Sequence, residues 1–182
     1  MMKIFAFDEK EPGRARLKKM TLGALFAALA VLLSPLSLPV GPSRCFPFQH
    51  AVNAVAGVLI GPFWACGAAF VASFIRNALG TGTILAFPGS LFGAAAVGIV
   101  ARRLPEKYRS WAALAEPLAT GTLGAGVASF AASSAGGRGE MFLLLSGAFL
   151  VSSVPGALIG FCALRFPRRK NTGLRADKEV LQ

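Results

Sequence analysis

The sequence predicts an all-α integral membrane protein of six transmembrane helices with both termini in the cytoplasm. Three observations predict it. Hydrophobic residues make up 54% of the chain, they fall in long runs cut by prolines, glycines and charges, and the basic residues gather at alternate breaks between those runs. A mean hydropathy of +0.61 lies outside the usual range for a soluble domain.

A span needs about 20 apolar residues, fewer or more with tilt. The first run covers 20–38, behind the flank Lys18-Lys19. That flank also suits a secretory signal, but five further runs favour a retained helix. The second run, 48–60, reaches only about 20 Å of a core about 30 Å thick. The stretch before it, "LPVGPSRCFPF", is too rich in Pro and Gly for helix, so a non-helical loop folded inward over the bundle is expected to fill the gap. Runs three and four cover 63–79 and 85–100, five covers 111–133 and six covers 141–164. The chain divides into a basic cytoplasmic segment 1–19, a membrane domain 20–166 and a basic cytoplasmic tail 167–182.

Charge fixes the orientation. With the N-terminus inside, sixteen of the nineteen Lys and Arg residues lie on the cytoplasmic side, and only Arg44, Arg76 and Arg138 fall outside. The net charge of +11 follows from this topology and from basic tails beside anionic lipid, so it does not call for nucleic acid.

Polar residues converge at one depth. His50, the only histidine, and Asn53 share a face near the outer end of the second span, with Gln49 beside them. The third span climbs to "IRNALGTGTILAFPGS", which brings Arg76, Asn77, Thr81, Thr83 and Ser90 toward the same level, with Phe46, Phe48 and Phe87 available as walls. Apolar walls with a few placed polar groups make a ligand pocket. Singly, each has a plainer role: Arg76 suits a side chain reaching to the interface, His50 a packing histidine, and Gly80 to Thr83 a turn. Ser129, Ser146 and Ser152 are the next place to look. Glu116, early in the fifth span beside Pro117, is expected near the cytoplasmic surface, anchored by Arg102 or Arg103, with Thr120 and Gly124 on its face. On the first span, Gly23 with Ala27 and Ala24 with Ala28 form small-residue pairs that admit a close helix, within the bundle or from a partner.

Enzyme signatures are missing. There is no phosphate-binding loop, zincin motif or nucleophile elbow, so the chain does not hydrolyse ATP. Cys45, Cys66 and Cys162 have no metal-site or disulfide spacing, and a Cys45–His50 thiol nucleophile lacks a third orienting group. No catalytic residue, metal or cofactor is expected.

The stretch 39–94, above all "CFPFQHAVN" and "RNALGTGTILAFPGS", resembles the ThiW family, substrate-binding S components of energy-coupling factor (ECF) transporters for the thiazole precursor of thiamine. "GVLIGP" is similar to a turn common in S components, and "EPLATGTLGA" and "LVSSVPGALIG" resemble the family more loosely. The resemblance implies a six-helix S-component bundle in a bacterial-type plasma membrane that captures hydroxyethylthiazole outside the cell. It also implies docking on an ECF transmembrane coupling subunit driven by two ABC-type ATPases, with Ala24 and Ala28 fitting the A-x-x-x-A docking stripe. Alternatives are an S component for another small vitamin-like ligand such as thiamine, and a stand-alone facilitator or channel. A channel would line its whole path with polar groups, yet the inner halves of these spans are Ala, Val, Leu and Gly. Cation sites favour Trp, Tyr and carboxylates, but Trp64, Trp111 and Tyr108 fall at the inner side and Glu140 is the only acid outside, so a small neutral heterocycle fits better than thiamine. An anion held by Arg44 or Arg76 also stays open.

Overall fold

The computed structural model describes residues 12–40, 43–132 and 137–166. The charged ends counted above, residues 1–11 and 167–182, lie outside the described residues, as do 41, 42 and 133–136.

Among the described residues the fold is all-α apart from one small hairpin. Helix α1 is Pro12–Leu32, strands β1 and β2 are Leu38–Val40 and Ser43–Cys45, and α2 is Pro47–Ile60, α3 Pro62–Ala78 and α4 Ala86–Arg103. A fifth rod follows in four pieces: a 3-10 stretch Glu106–Leu114, α5 Ala115–Ala119, a π-helical stretch Thr120–Gly124 and α6 Ala125–Ala132. The last helix, α7, is Arg138–Arg165.

Local chemistry sets most boundaries. Pro12 starts α1 at a position that needs no N–H, so the helix runs through the basic segment instead of beginning at residue 20. It stops at Leu32 because Pro35 disfavours helix in the residue before it. Between α2 and α3, Gly61 adopts φ +81°, which suits glycine, and Pro62 opens the next helix. The loop expected to be irregular pairs instead as antiparallel strands, with Leu38 opposite Cys45, Pro39 opposite Arg44 and Val40 opposite Ser43.

Helix α2 stands at the centre. It packs against α1, α3, α4, the fifth rod and α7, and ten of its fourteen residues are buried. The others surround it in the order α1, α3, α4, fifth rod, α7. Helix α7 lies against α2 most closely at Gly156, where a Cβ would overlap the Pro47 carbonyl and the His50 Cβ. A glycine is required for that approach.

The core is built from small residues. Most buried apolar side chains are alanines, whereas Phe63, Phe74, Phe130, Leu143 and Leu144 face outward. This inversion suits lipid, where helices gain nothing by hiding large apolar groups and associate through close packing of small ones. Among the described residues, α7 is the one helix both long and apolar enough to cross a bilayer alone; at 28 residues it extends about 42 Å. The others are shorter, carry terminal charges or are broken.

Candidate functional site

The hairpin, α2, the α3–α4 turn, α4 and α7 enclose a cavity of about 590 Å³ at the hairpin end of the bundle. Arg44 and Phe46 face it from the hairpin, Gln49 and His50 from α2, and Gly80, Thr81, Gly82 and Thr83 from the turn. Helix α4 contributes Leu85, Ala86, Gly89 and Ser90, and α7 contributes Leu145, Ala148, Phe149 and Ser152. The walls are mainly apolar, with a few polar groups held in place. A cavity of this size and kind is typical of small-molecule sites.

A central helix with polar residues must satisfy them internally. Gln49 Nε2 donates to Ser90 Oγ at 2.8 Å, and Asn53 Nδ2, one turn deeper, approaches the Ser90 carbonyl at 3.4 Å. His50 Nδ1 lies 2.5 Å from Glu116 Oε1. Thr120 Oγ1 is 3.0 Å from the same carboxylate oxygen and 3.1 Å from the Gly89 carbonyl, and its single proton serves one of them at a time. Gly93 makes room for this group, since a Cβ there would stand 2.5 Å from Glu116 Oε1.

Glu116 is therefore not a surface anchor. It is 0% exposed and pairs with His50, while Arg102 lies beside Gly61 and lines a smaller cleft of about 180 Å³ with Lys19 and Arg109. The π-helical stretch begins four residues after it, at Thr120, and such interruptions often mark functional places in helices.

Arg76 closes a second polar cluster behind the hairpin. It is 1% exposed, and its Nε donates to Ser34 Oγ at 3.0 Å. Ser34 Oγ donates to Thr81 Oγ1 at 3.0 Å, and Thr81 Oγ1 donates to the Arg76 backbone carbonyl at 3.3 Å, so the three residues form a ring of hydrogen bonds closed through the Arg76 main chain. Arg76 Nη2 donates to the Thr81 carbonyl at 3.3 Å, and the guanidinium carbon sits 4.3 Å from the centre of the Phe46 ring. Asn77 Nδ2 bonds the Ser73 and Thr83 carbonyls at 2.9 and 3.0 Å and thereby pins the turn to α3.

Of the residues expected at a binding site, Phe46, Gln49, His50, Thr81, Thr83 and Ser90 face the cavity. Asn53, Arg76 and Asn77 stand behind that wall and hold it. Phe87 packs on Phe70 with ring centres 5.5 Å apart, and neither Phe87 nor Phe48 lines the cavity. The α7 wall was absent from the expected set, although Ser152 stood among the fallback serines; its Oγ accepts the Phe46 N–H at 2.7 Å. Ser146 and Ser129 instead bond the Gly121 and Gly126 carbonyls. On α1, Gly23 and Ala27 turn into the bundle, while Ala24 and Ala28 stay exposed. Burial raises the Cys45 thiol above its usual pKa, which opposes a thiolate nucleophile there.

Neither a curated protein nor a solved structure matches the chain. A family profile described as thiamine-precursor transporter protein (ThiW) matches residues 20–170, a range that holds every wall of the cavity, both polar clusters and nearly all of the helical bundle. With the greater part of its length matched, this chain belongs to the ThiW family of thiamine-precursor transporters.

Proposed function

We propose that this protein is the substrate-binding S component of an ECF-type importer and that the cavity receives hydroxyethylthiazole from outside the cell. The observation that carries this reading is the cavity at the hairpin end, apolar with convergent polar groups, in a member of a thiamine-precursor transporter family. In this reading the five helical rods and α2 cross the bilayer, both termini lie in the cytoplasm and the hairpin end faces outward. The basic residues Lys19, Arg102, Arg103, Lys107 and Arg109 then fall inside, as the positive-inside rule requires. The thiazole stacks on Phe46 or Phe149 and meets Gln49, His50, Thr81, Thr83 and Ser90, with Asn53, Arg76 and Asn77 supporting that wall. Uptake is driven by a coupling subunit and two ABC-type ATPases, and exposed Ala24 and Ala28 on peripheral α1 offer the docking stripe.

Calorimetry of the purified protein in lipid nanodiscs, against hydroxyethylthiazole, its phosphate and thiamine, tests the ligand. Saturable binding strongest for hydroxyethylthiazole is the expected result. Vesicles holding this protein alone should not equilibrate labelled thiazole; if they do so without ATP, the protein is a facilitator and the S-component reading falls.

A further inference from the structure

Glu116 and His50 form a buried ionisable pair whose proton content can be argued from its surroundings. Only one carboxylate oxygen is engaged: Oε1 meets His50 Nδ1 at 2.5 Å and Thr120 Oγ1 at 3.0 Å, while Oε2 is buried without a partner among the described residues. The threonine proton is shared with the Gly89 carbonyl. A carboxylate carrying uncompensated charge in apolar surroundings is strongly disfavoured unless donors surround its oxygens. Here they do not. The other charged groups at this end, Arg44 on the cavity wall, Arg76 behind Phe46, and Arg138 and Glu140 in the first turn of α7, make no bond to Glu116.

An acid protonated on Oε2 would strand that proton without an acceptor, since Oε2 has no partner among the described residues; two other arrangements leave the pair neutral overall. In one, a carboxylic acid donates to Nδ1 of a neutral imidazole; in the other, a carboxylate accepts from an imidazolium. Both put a proton on Nε2. That nitrogen has no partner among the described residues, and His50 lines the cavity.

We propose that Glu116 is a positioning residue that keeps a proton on His50 Nε2, so that the cavity offers an N–H donor and selects a neutral heteroaromatic ring with a free nitrogen lone pair over the same ring alkylated at nitrogen. This deepens, and rests on, the thiazole-binding reading above. Free thiazole has that lone pair. In thiamine the thiazolium nitrogen is bonded to carbon, has no lone pair and brings a positive charge toward Arg44.

The sequence contains one histidine, so histidine labelled with nitrogen-15 reports His50 alone once any purification tag is removed. At neutral pH without ligand, Nε2 should show a directly bonded proton, and the short Nδ1–Oε1 contact should give a far-downfield proton signal that Glu116→Gln abolishes. Hydroxyethylthiazole should bind at least about tenfold more tightly than its N-methylated thiazolium, the loss expected when a buried donor is left unpaired. An unprotonated Nε2, or equal affinity for the two compounds, overturns the proposal. If no thiazole binds at all, the transport reading fails instead, and the nitrogen spectrum still decides where the proton sits.

Discussion

Asn53 and Gln49 both reach Ser90, but they should behave differently when truncated. Gln49 faces the cavity and bonds the Ser90 hydroxyl at 2.8 Å, so Gln49→Ala should weaken thiazole binding about tenfold. Asn53 lies below the cavity floor, so Asn53→Ala should lower the melting temperature of the detergent-solubilised protein while leaving affinity nearly unchanged. Equal losses of affinity for both would place the ligand deeper than the cavity described. That the polar residues of "QHAVN" find partners inside the bundle was legible in the sequence, because polar residues in an apolar helix need internal partners. The partner of His50 was not. Depth counted from a helix beginning at Trp111 puts Glu116 near the surface. The rod begins at Glu106 instead, as a 3-10 stretch that rises about 2 Å per residue, and so carries Glu116 about 20 Å inward.

At the scale of elements, the contact between α2 and α7 is the one that positions the site. Gly156→Leu should prevent the two helices from closing and abolish the folded, monodisperse protein, since the overlap is with the α2 backbone and not with a movable side-chain end. Gly147→Leu, on the same helix but with open space around it, should be tolerated. Size-exclusion profiles of the two variants check this. A well-folded Gly156→Leu would mean that α7 sits elsewhere. The hairpin escaped sequence reading because Pro39 and the Gly41-Pro42 pair argue against a sheet. In a two-stranded ribbon every strand is an edge, and an edge tolerates proline.

For the whole molecule, orientation is the property on which the proposed capture from outside depends. In a background lacking Cys45, Cys66 and Cys162, a cysteine at Arg138 should react with a membrane-impermeant maleimide on intact cells, and one at Lys107 only after lysis. The reverse pattern would invert the proposed topology. Ala24→Leu and Ala28→Leu should block co-purification of a coupling subunit and spare thiazole binding, because both positions are exposed on α1 and lie away from the cavity. The number of rods was legible from the alternation of basic clusters and apolar runs. Their packing around a central α2 was not, since periodicity says which residues share a face and nothing about which helix meets it.

The hairpin has a consequence in time. A two-stranded ribbon is marginally stable by itself, and this one is held by the Phe46 N–H on Ser152 and by Arg76 beneath the Phe46 ring. Arg76 in turn is braced by Ser34, which does not line the cavity. A hairpin held in this way predicts that the lifetime of a bound molecule follows how often that brace lets go, more than how well the walls fit. Ser34→Ala should speed both entry and exit in stopped-flow measurements while the equilibrium constant stays within about threefold, because a barrier common to both directions cancels from their ratio. If only the exit rate rises, the brace belongs to the binding energy and the hairpin does not gate.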